Sequence, residues 1–276
     1  MLTIAGKSHI KRYLAQYVPS IAGAVAVGVG TRAEAGTDFG LQFEIIRAPI
    51  TLITYDFATN KIVYKATLPA DLVAQIYEVG LFSTYQDTVA GVFGTRLITD
   101  FNSAEGWASG VFSATGARIG VDGLSHTPAL SATTSTALSN VILDLGGYSG
   151  ADIFSIAINV ENANTSSLRV RFKTDSSNYY DLNIGAQTSG YKVIDIVKGG
   201  ATTTGSPDWA AISEIEVTTV SGAGGASAVT WDGIMIQDTD TVNLDYTLVA
   251  RKVLSSPIDK IANQAQDIEF TLDATV

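Results

Sequence analysis

At 276 residues the chain exceeds an ordinary single domain of roughly 100–200 residues, so one large or two ordinary domains are expected. Seventeen basic against twenty-seven acidic residues give a net charge of −10, which repels nucleic acid and anionic lipid, and the absence of cysteine excludes disulfides, thiol nucleophiles and thiolate metal sites. Two histidines, His9 and His126, leave almost nothing for a histidine-based metal centre, while 46% apolar and 16% charged residues exclude a disordered chain.

The first charges, Lys7, Lys11 and Arg12, follow a short apolar stretch, the reverse of a signal peptide. The most apolar run, 18–30, is glycine-rich and short of the ~20 residues that span a bilayer, so the expectation is a soluble chain with no membrane partner. Ala5-Gly6-Lys7-Ser8 has the ending of a phosphate-binding loop. The first glycine of that motif would fall at Met1, with no strand before it, so the group reads as a helix start. Over 7–18, Ile10, Tyr13, Leu14, Tyr17 and Val18 recur at three- and four-residue intervals and predict a helix with one apolar stripe, closed by Pro19. Ile10, Leu14, Tyr17 and Val18 are the residues expected to dock it on its own domain or on a neighbouring subunit.

Strands follow. Residues 24–30 form a β run ending in a glycine turn, and 41–46 alternate apolar with polar. Residues 51–57 and 61–68 flank Ala58-Thr59-Asn60 as a hairpin, and 75–82 alternate again. In the middle, strands are predicted at 141–145, 153–160, 167–173, 179–184, 192–196, 212–220 and 229–236, with a capped turn at Asp175-Ser176-Ser177-Asn178. Short strands at spacings near ~12 residues predict a β-sandwich. Residues 245–251 and 267–273 are two more alternating strands. Two strands are not stable alone, so they are expected to complete the sheet begun by 20–95.

Charge divides the chain the same way. Residues 1–95 carry seven basic and seven acidic groups, 96–238 seven and fourteen, and 239–276 three and six. The predicted fold is mainly β: a discontinuous outer β-rich domain with one N-terminal helix (1–95 plus 239–276), and an inserted jelly-roll β-sandwich (96–238).

Catalytic chemistry finds little support. Ser125 and His126 are adjacent, so in a strand they point to opposite faces, and no nucleophile elbow surrounds them. Asp100, Glu105, Asp122, Asp181, Asp195 and Asp232 are available for a carboxylate pair of glycosidase type, but turns and solvated strand faces account for them. The expectation is therefore no enzyme and no required cofactor. The acids of 238–245 and Asp100 with Asn102 offer hard oxygen ligands for a structural calcium. Among the aromatics of the middle region, Trp107, Tyr179, Tyr180 and Trp209 are candidates for stacking on sugar. Tyr179 and Tyr180 are consecutive in a strand, so one must face outward.

Two outer stretches, KIVYKATLP at 61–69 and IYEVGLF at 76–82, resemble phage tail-collar and tail-fibre attachment proteins. LVAR at 248–251, PIDK at 257–260 and the strand at 267–272 resemble the end of the same kind of domain. In the middle, DFNSAEGW at 100–107, LDLGGY at 143–148, SNYY at 177–180 and WDGIMI at 231–236 are similar to jelly-roll carbohydrate-binding modules. Those families place a cation where the first and last strands meet, which makes Asp100 and Asp232 the calcium candidates. The resemblance implies a non-enzymatic structural protein of a tailed-phage virion, assembled in the host cytoplasm and associated with the tail as a collar, baseplate or fibre-attachment part. Its partners would be copies of itself, as a trimer or ring, and other virion proteins, with the jelly-roll displayed. The competing readings are a capsid decoration or head-fibre protein, a carbohydrate-binding receptor for a host surface glycan, and a polysaccharide-degrading enzyme.

Overall fold

Thr3 opens the helix: its backbone is extended and its Oγ1 accepts from the amide of Gly6 at 2.8 Å, satisfying one of the open donors of the first turn. The computed structural model describes residues 1–18, 20–84, 94–162, 164–239 and 247–273. In chain order, α1 (Ile4–Leu14) precedes β1 (Ala24–Gly28), β2 (Glu44–Asp56), β3 (Lys61–Leu68) and β4 (Ala74–Phe82). Then come β5 (Arg96–Thr99), β6 (Val111–Ser113), β7 (Gly123–His126), β8 (Thr133–Leu143), β9 (Ile153–Val160) and β10 (Thr165–Lys173). β11 (Tyr179–Asn183), β12 (Gly190–Val197), β13 (Thr202–Thr204), β14 (Ile212–Ser221) and β15 (Val229–Gln237) complete the middle, and β16 (Leu248–Lys260) and β17 (Gln266–Asp273) close the chain. Two compact units result, Met1–Thr95 with Thr239–Val276, and Arg96–Asp238.

The first unit is one antiparallel sheet in the order β16-β4-β1-β2-β3-β17. Every residue of β1 is buried, which its unbroken AVAVG run permits. At the heart of this unit lies an ion pair: Arg251 donates to Glu78 and to Asp38 at 2.9 and 2.8 Å. The Glu78 carboxylate also accepts the amides of Gly30, Gln42 and Phe43. Pro257, which has no N–H to give, sits where the β16–β4 register slips between Val253 and Ile258.

The helix differs from its sequence reading in extent and in face. It ends at Leu14, and Pro19 lies outside the described residues. Its buried residues are Gly6 and His9, with Ile10 packed partly against the core, whereas Leu14 and Tyr17 are 73% and 80% exposed. The reason is the close approach of α1 to β16: a Cβ on Gly6 would lie 2.0 Å from the carbonyl oxygen of Val249. Missing side-chain volume, not hydropathy, selects the docked face.

The second unit is a sandwich of two antiparallel sheets, β13-β11-β10-β14-β8 and β12-β9-β15-β7-β6, with β5 also paired to β15. Its core is filled from both sheets. Phe172 and Val170 of β10 and Ile215 and Val217 of β14 share one cluster with Phe154 and Ile156 of β9 and Trp231 of β15. The predicted strand at 141–145 is the end of β8, whose first half, Thr133-Thr134-Ser135-Thr136, carries no apolar signal. Of the expected closing strand at 245–251, residues 245 and 246 lie outside the described residues.

Candidate functional site

Alternation along β10 buries Leu168, Val170 and Phe172 and turns Arg169, Arg171 and Lys173 outward. Antiparallel register then lines up matching outward residues across the five-stranded sheet. One row runs Thr204, Tyr179, Lys173, Glu214, Ser139, and the next Thr202, Asp181, Arg171, Glu216, Ala137. A third runs Asn183, Arg169, Thr218, Ser135. The result is a polar face carrying a single aromatic ring, held on regular strands rather than on loops.

The side chains of this face fix one another. Arg171 binds Asp181 through two bonds of 2.7 and 3.0 Å while its guanidinium lies 3.7 Å over the centre of the Tyr179 ring. Lys173 donates to Glu214 at 2.6 Å and to Glu216 at 2.7 Å, and Ser139 donates to Glu214 at 2.8 Å. Arg169 donates to Glu216 and Thr218, each at 3.2 Å. The hydrogen bond to Asp181 raises the pKa of Arg171. Burial lowers that of Lys173, but the bonds to Glu214 and Glu216 outweigh it and the ammonium is held charged. Three cations and three carboxylates are thus held in fixed positions around a partly exposed tyrosine.

The candidate aromatics separate. Tyr179 is the outward member of its pair. Tyr180 turns inward, donates from its hydroxyl to the carbonyl of Pro207 at 2.7 Å, and stacks on Trp209 at 3.9 Å and 7°. Trp209 also lies 5.6 Å from both Phe154 and Phe172, so the faces that a sugar would need are spent closing the edge of the sandwich core. Trp107 is a correction too: it is 4% exposed, stacks on Phe101 at 4.8 Å and donates to Glu105 at 2.9 Å, as a core residue. Arg169, Arg171, Lys173, Glu214 and Glu216 are not among the residues the sequence singles out, and Asp181 is there only as an available glycosidase-type carboxylate, although charges at every second position mark an outward strand face.

The calcium pair does not fit a cation. Asp232 is fully buried, and its oxygens accept the amides of Arg118 and Ile119 at 2.9 and 3.4 Å and the hydroxyl of Tyr191 at 2.5 Å. A cation there would meet the positive ends of three donors, so Asp232 is a strap that holds the 118–119 loop, not a metal ligand. Asp100 is bound by Asn102. No group of three or more His, Asp or Glu able to hold a metal occurs among the described residues, and 240–245 of the acidic stretch lie outside them. Of the other acids, Asp195 accepts from Ser155 at 2.7 Å, and Glu105 binds Thr99 and Trp107. His126 is buried between Thr219 and Thr136 at 3.1 and 2.9 Å.

A second feature belongs to the outer unit. The 13-residue β2 runs past the buried part of its sheet, so that from Thr51 to Asp56 every residue is exposed. Asp56 closes the turn by accepting from Ala58, Thr59 and the Thr59 hydroxyl, and Asn60 takes the left-handed φ of 53° that the return requires. Leu52, Ile53, Tyr55 and Phe57 are apolar along this arm, and Phe57 at its tip is 86% exposed. At the end of α1, Tyr13, Leu14, Gln16, Tyr17 and Val18 line an open groove. Ile10 and Val18 are half-buried, so of the four predicted docking residues Leu14 and Tyr17 are the exposed pair.

No protein-family model matches the chain, and no curated protein is similar to it. Among solved structures, it is similar to the family 11 carbohydrate-binding module from Clostridium thermocellum in complex with a β-1,3-1,4-mixed-linked tetrasaccharide. That likeness has 16% identity over 53% of this chain and 96% of that one, with a TM-score of 0.40. It is also similar to PfGH50B at 8% identity over 49% and 22% of the two chains, and to the agarase AgWH50C at 14% over 55% and 25%, each with a TM-score of 0.36. The chain thus spans about a quarter or less of those two proteins, and likeness at these levels does not bear on activity or ligand.

Proposed function

We propose that the protein is a non-enzymatic attachment protein, in which Arg96–Asp238 binds carbohydrate and the outer unit docks it into a larger assembly. The observation that carries this reading is the outward sheet face around Tyr179. An aromatic ring accepts the apolar C–H face of a sugar, while carboxylate, amide and guanidinium groups exchange hydrogen bonds with its hydroxyls. Asp181 and Arg171, locked to each other, and the neighbouring Asn183 supply those groups with little left to order on binding. The full chain on a glycan array is the test. Tyr179→Ala is expected to weaken the glycan it selects by roughly tenfold, the loss of about 1.5 kcal/mol of ring contact. Absence of any bound glycan on an array that covers bacterial surface polysaccharides would remove the reading.

A second reading, a structural protein of a tailed-phage particle placed at the tail or as a capsid decoration, is favoured by the exposed apolar side chains of the β2–β3 arm, Leu52, Ile53, Tyr55 and Phe57. Electron microscopy of particles carrying a labelled subunit decides between the two positions.

A further inference from the structure

We infer that the glycan taken at the Tyr179 face is uncharged, and that Glu216 is the residue that sets this preference. This rests on the carbohydrate binding proposed above and names its ligand class. The charged side chains of the face form a closed set. Arg169 lies 3.2 Å from Glu216 and 3.6 Å from Asp181. Arg171 is bound by Asp181 at 2.7 Å and has Glu216 at 3.9 Å, and Lys173 is held between Glu214 and Glu216 at 2.6 and 2.7 Å. Among the described residues, Glu216 is the carboxylate that reaches Arg169, Arg171 and Lys173 alike. The formal charges of Arg169, Arg171 and Lys173 cancel those of Asp181, Glu214 and Glu216, and every other polar side chain in the three rows is a hydroxyl or an amide.

A uronate, sulfate or phosphate group is recognised by a cation that is free to pair with it. Here each cation already faces two of the protein's own carboxylates. An anionic substituent would either displace one of them, leaving that carboxylate partly buried and unpaired, or enter as a further anion beside them. A sugar hydroxyl meets neither cost. The carboxylate oxygens keep lone pairs for its O–H, and the guanidinium groups keep N–H donors for its oxygen, so it is bound without breaking an ion pair. Net charge acts in the same direction at longer range: Arg96–Asp238 carries seven basic and fourteen acidic residues, which repels a polyanion before contact.

The test is a glycan array printed in pairs, each neutral backbone beside the same backbone carrying a carboxylate, sulfate or phosphate, with methyl-esterified polygalacturonate beside polygalacturonate as one pair. The full chain is expected to bind neutral members roughly tenfold more tightly than their acidic partners, with little change between low and high salt. Glu216→Gln keeps the shape of the side chain and frees part of Arg169, Arg171 and Lys173. It should raise acidic over neutral binding several-fold, most at low salt. Glu214→Gln should raise the ratio less, because Lys173 keeps Glu216, and it reads the same effect if Glu216→Gln does not fold. Acidic members bound by the parent as tightly as neutral ones, or a ratio that neither variant moves, would overturn the inference and leave carbohydrate binding in place. A parent that binds no member of any pair would remove both.

Discussion

Two buried residues of the sandwich carry opposite pH dependence. Burial pushes Asp232 up to about 7 from an ordinary 3.8, against the pull of its Tyr191, Arg118 and Ile119 donors. Burial pushes His126 down to about 4 from an ordinary 6.5. Between those limits the folded chain holds more protons than the unfolded one at Asp232 and fewer at His126. Acidification from pH 7 to 4 therefore adds stability through Asp232, and from 6.5 to 4 removes it through His126, each with a slope approaching about 1.4 kcal/mol per pH unit. In the parent the two largely cancel. Asp232→Asn should expose the histidine slope, so that stability falls on acidification relative to the parent; His126→Gln should expose the aspartate slope, so that it rises. Urea unfolding followed by tryptophan fluorescence reads both, because Trp107, Trp209 and Trp231 all lie in Arg96–Asp238. Parallel pH profiles for the two variants would refute the assignment.

At the scale of elements, strands with a strong apolar run were readable from composition. β9 was predicted at its observed bounds, and β10, β11, β14 and β15 to within two residues at each end. The period-two rule also correctly required one of Tyr179 and Tyr180 to face outward. Three kinds of information were absent. β6, β7 and the first half of β8 are short or rich in Ser, Thr and Gly, so their pairing partners rather than their own residues make them strands. The docked face of α1 is set by a glycine against a carbonyl, which periodicity cannot report. Across-sheet rows need the register, so the charged network around Tyr179 was invisible even though each of its strands was legible. The ion pair at the heart of the outer unit is a further case: Glu78 and Arg251 stood in two stretches noted for their resemblance, yet only the β4–β16 pairing brings them together. Arg251→Met leaves the Glu78 carboxylate buried without its cation and should cost about 3–5 kcal/mol. Adding Glu78→Gln should cost less than a second independent loss, since the stranded charge is then gone. Hydrogen exchange of the β1 and β4 amides measures both, and strict additivity would show that the two groups act separately.

For the whole molecule, the way the chain enters and leaves the middle unit makes each unit complete by itself. In Arg96–Asp238 the first and last strands are neighbours, with Arg96 opposite Ile236, so the unit begins and ends at one place. In the outer unit the corresponding ends are also clasped. Ser83 donates its amide to the Thr247 carbonyl at 3.0 Å, and its hydroxyl accepts the Thr247 amide at 2.8 Å, just beyond the pairing of Phe82 with Leu248. Among the described residues the largest hydrophobic clusters are drawn each from one unit, one from 96–238 and two from the outer segments. Replacing 85–246 by a short Gly/Ser linker should therefore leave the six-stranded outer sheet folded, since the linker has only to join Thr84 to Thr247, which Ser83 already binds. The fragment 96–238 should fold alone, and the full chain should show two calorimetric transitions that match the separate pieces. A linker-joined outer unit that is unfolded while the full chain is folded, or a single transition that neither piece reproduces, would mean that the insertion is needed to hold the outer sheet together.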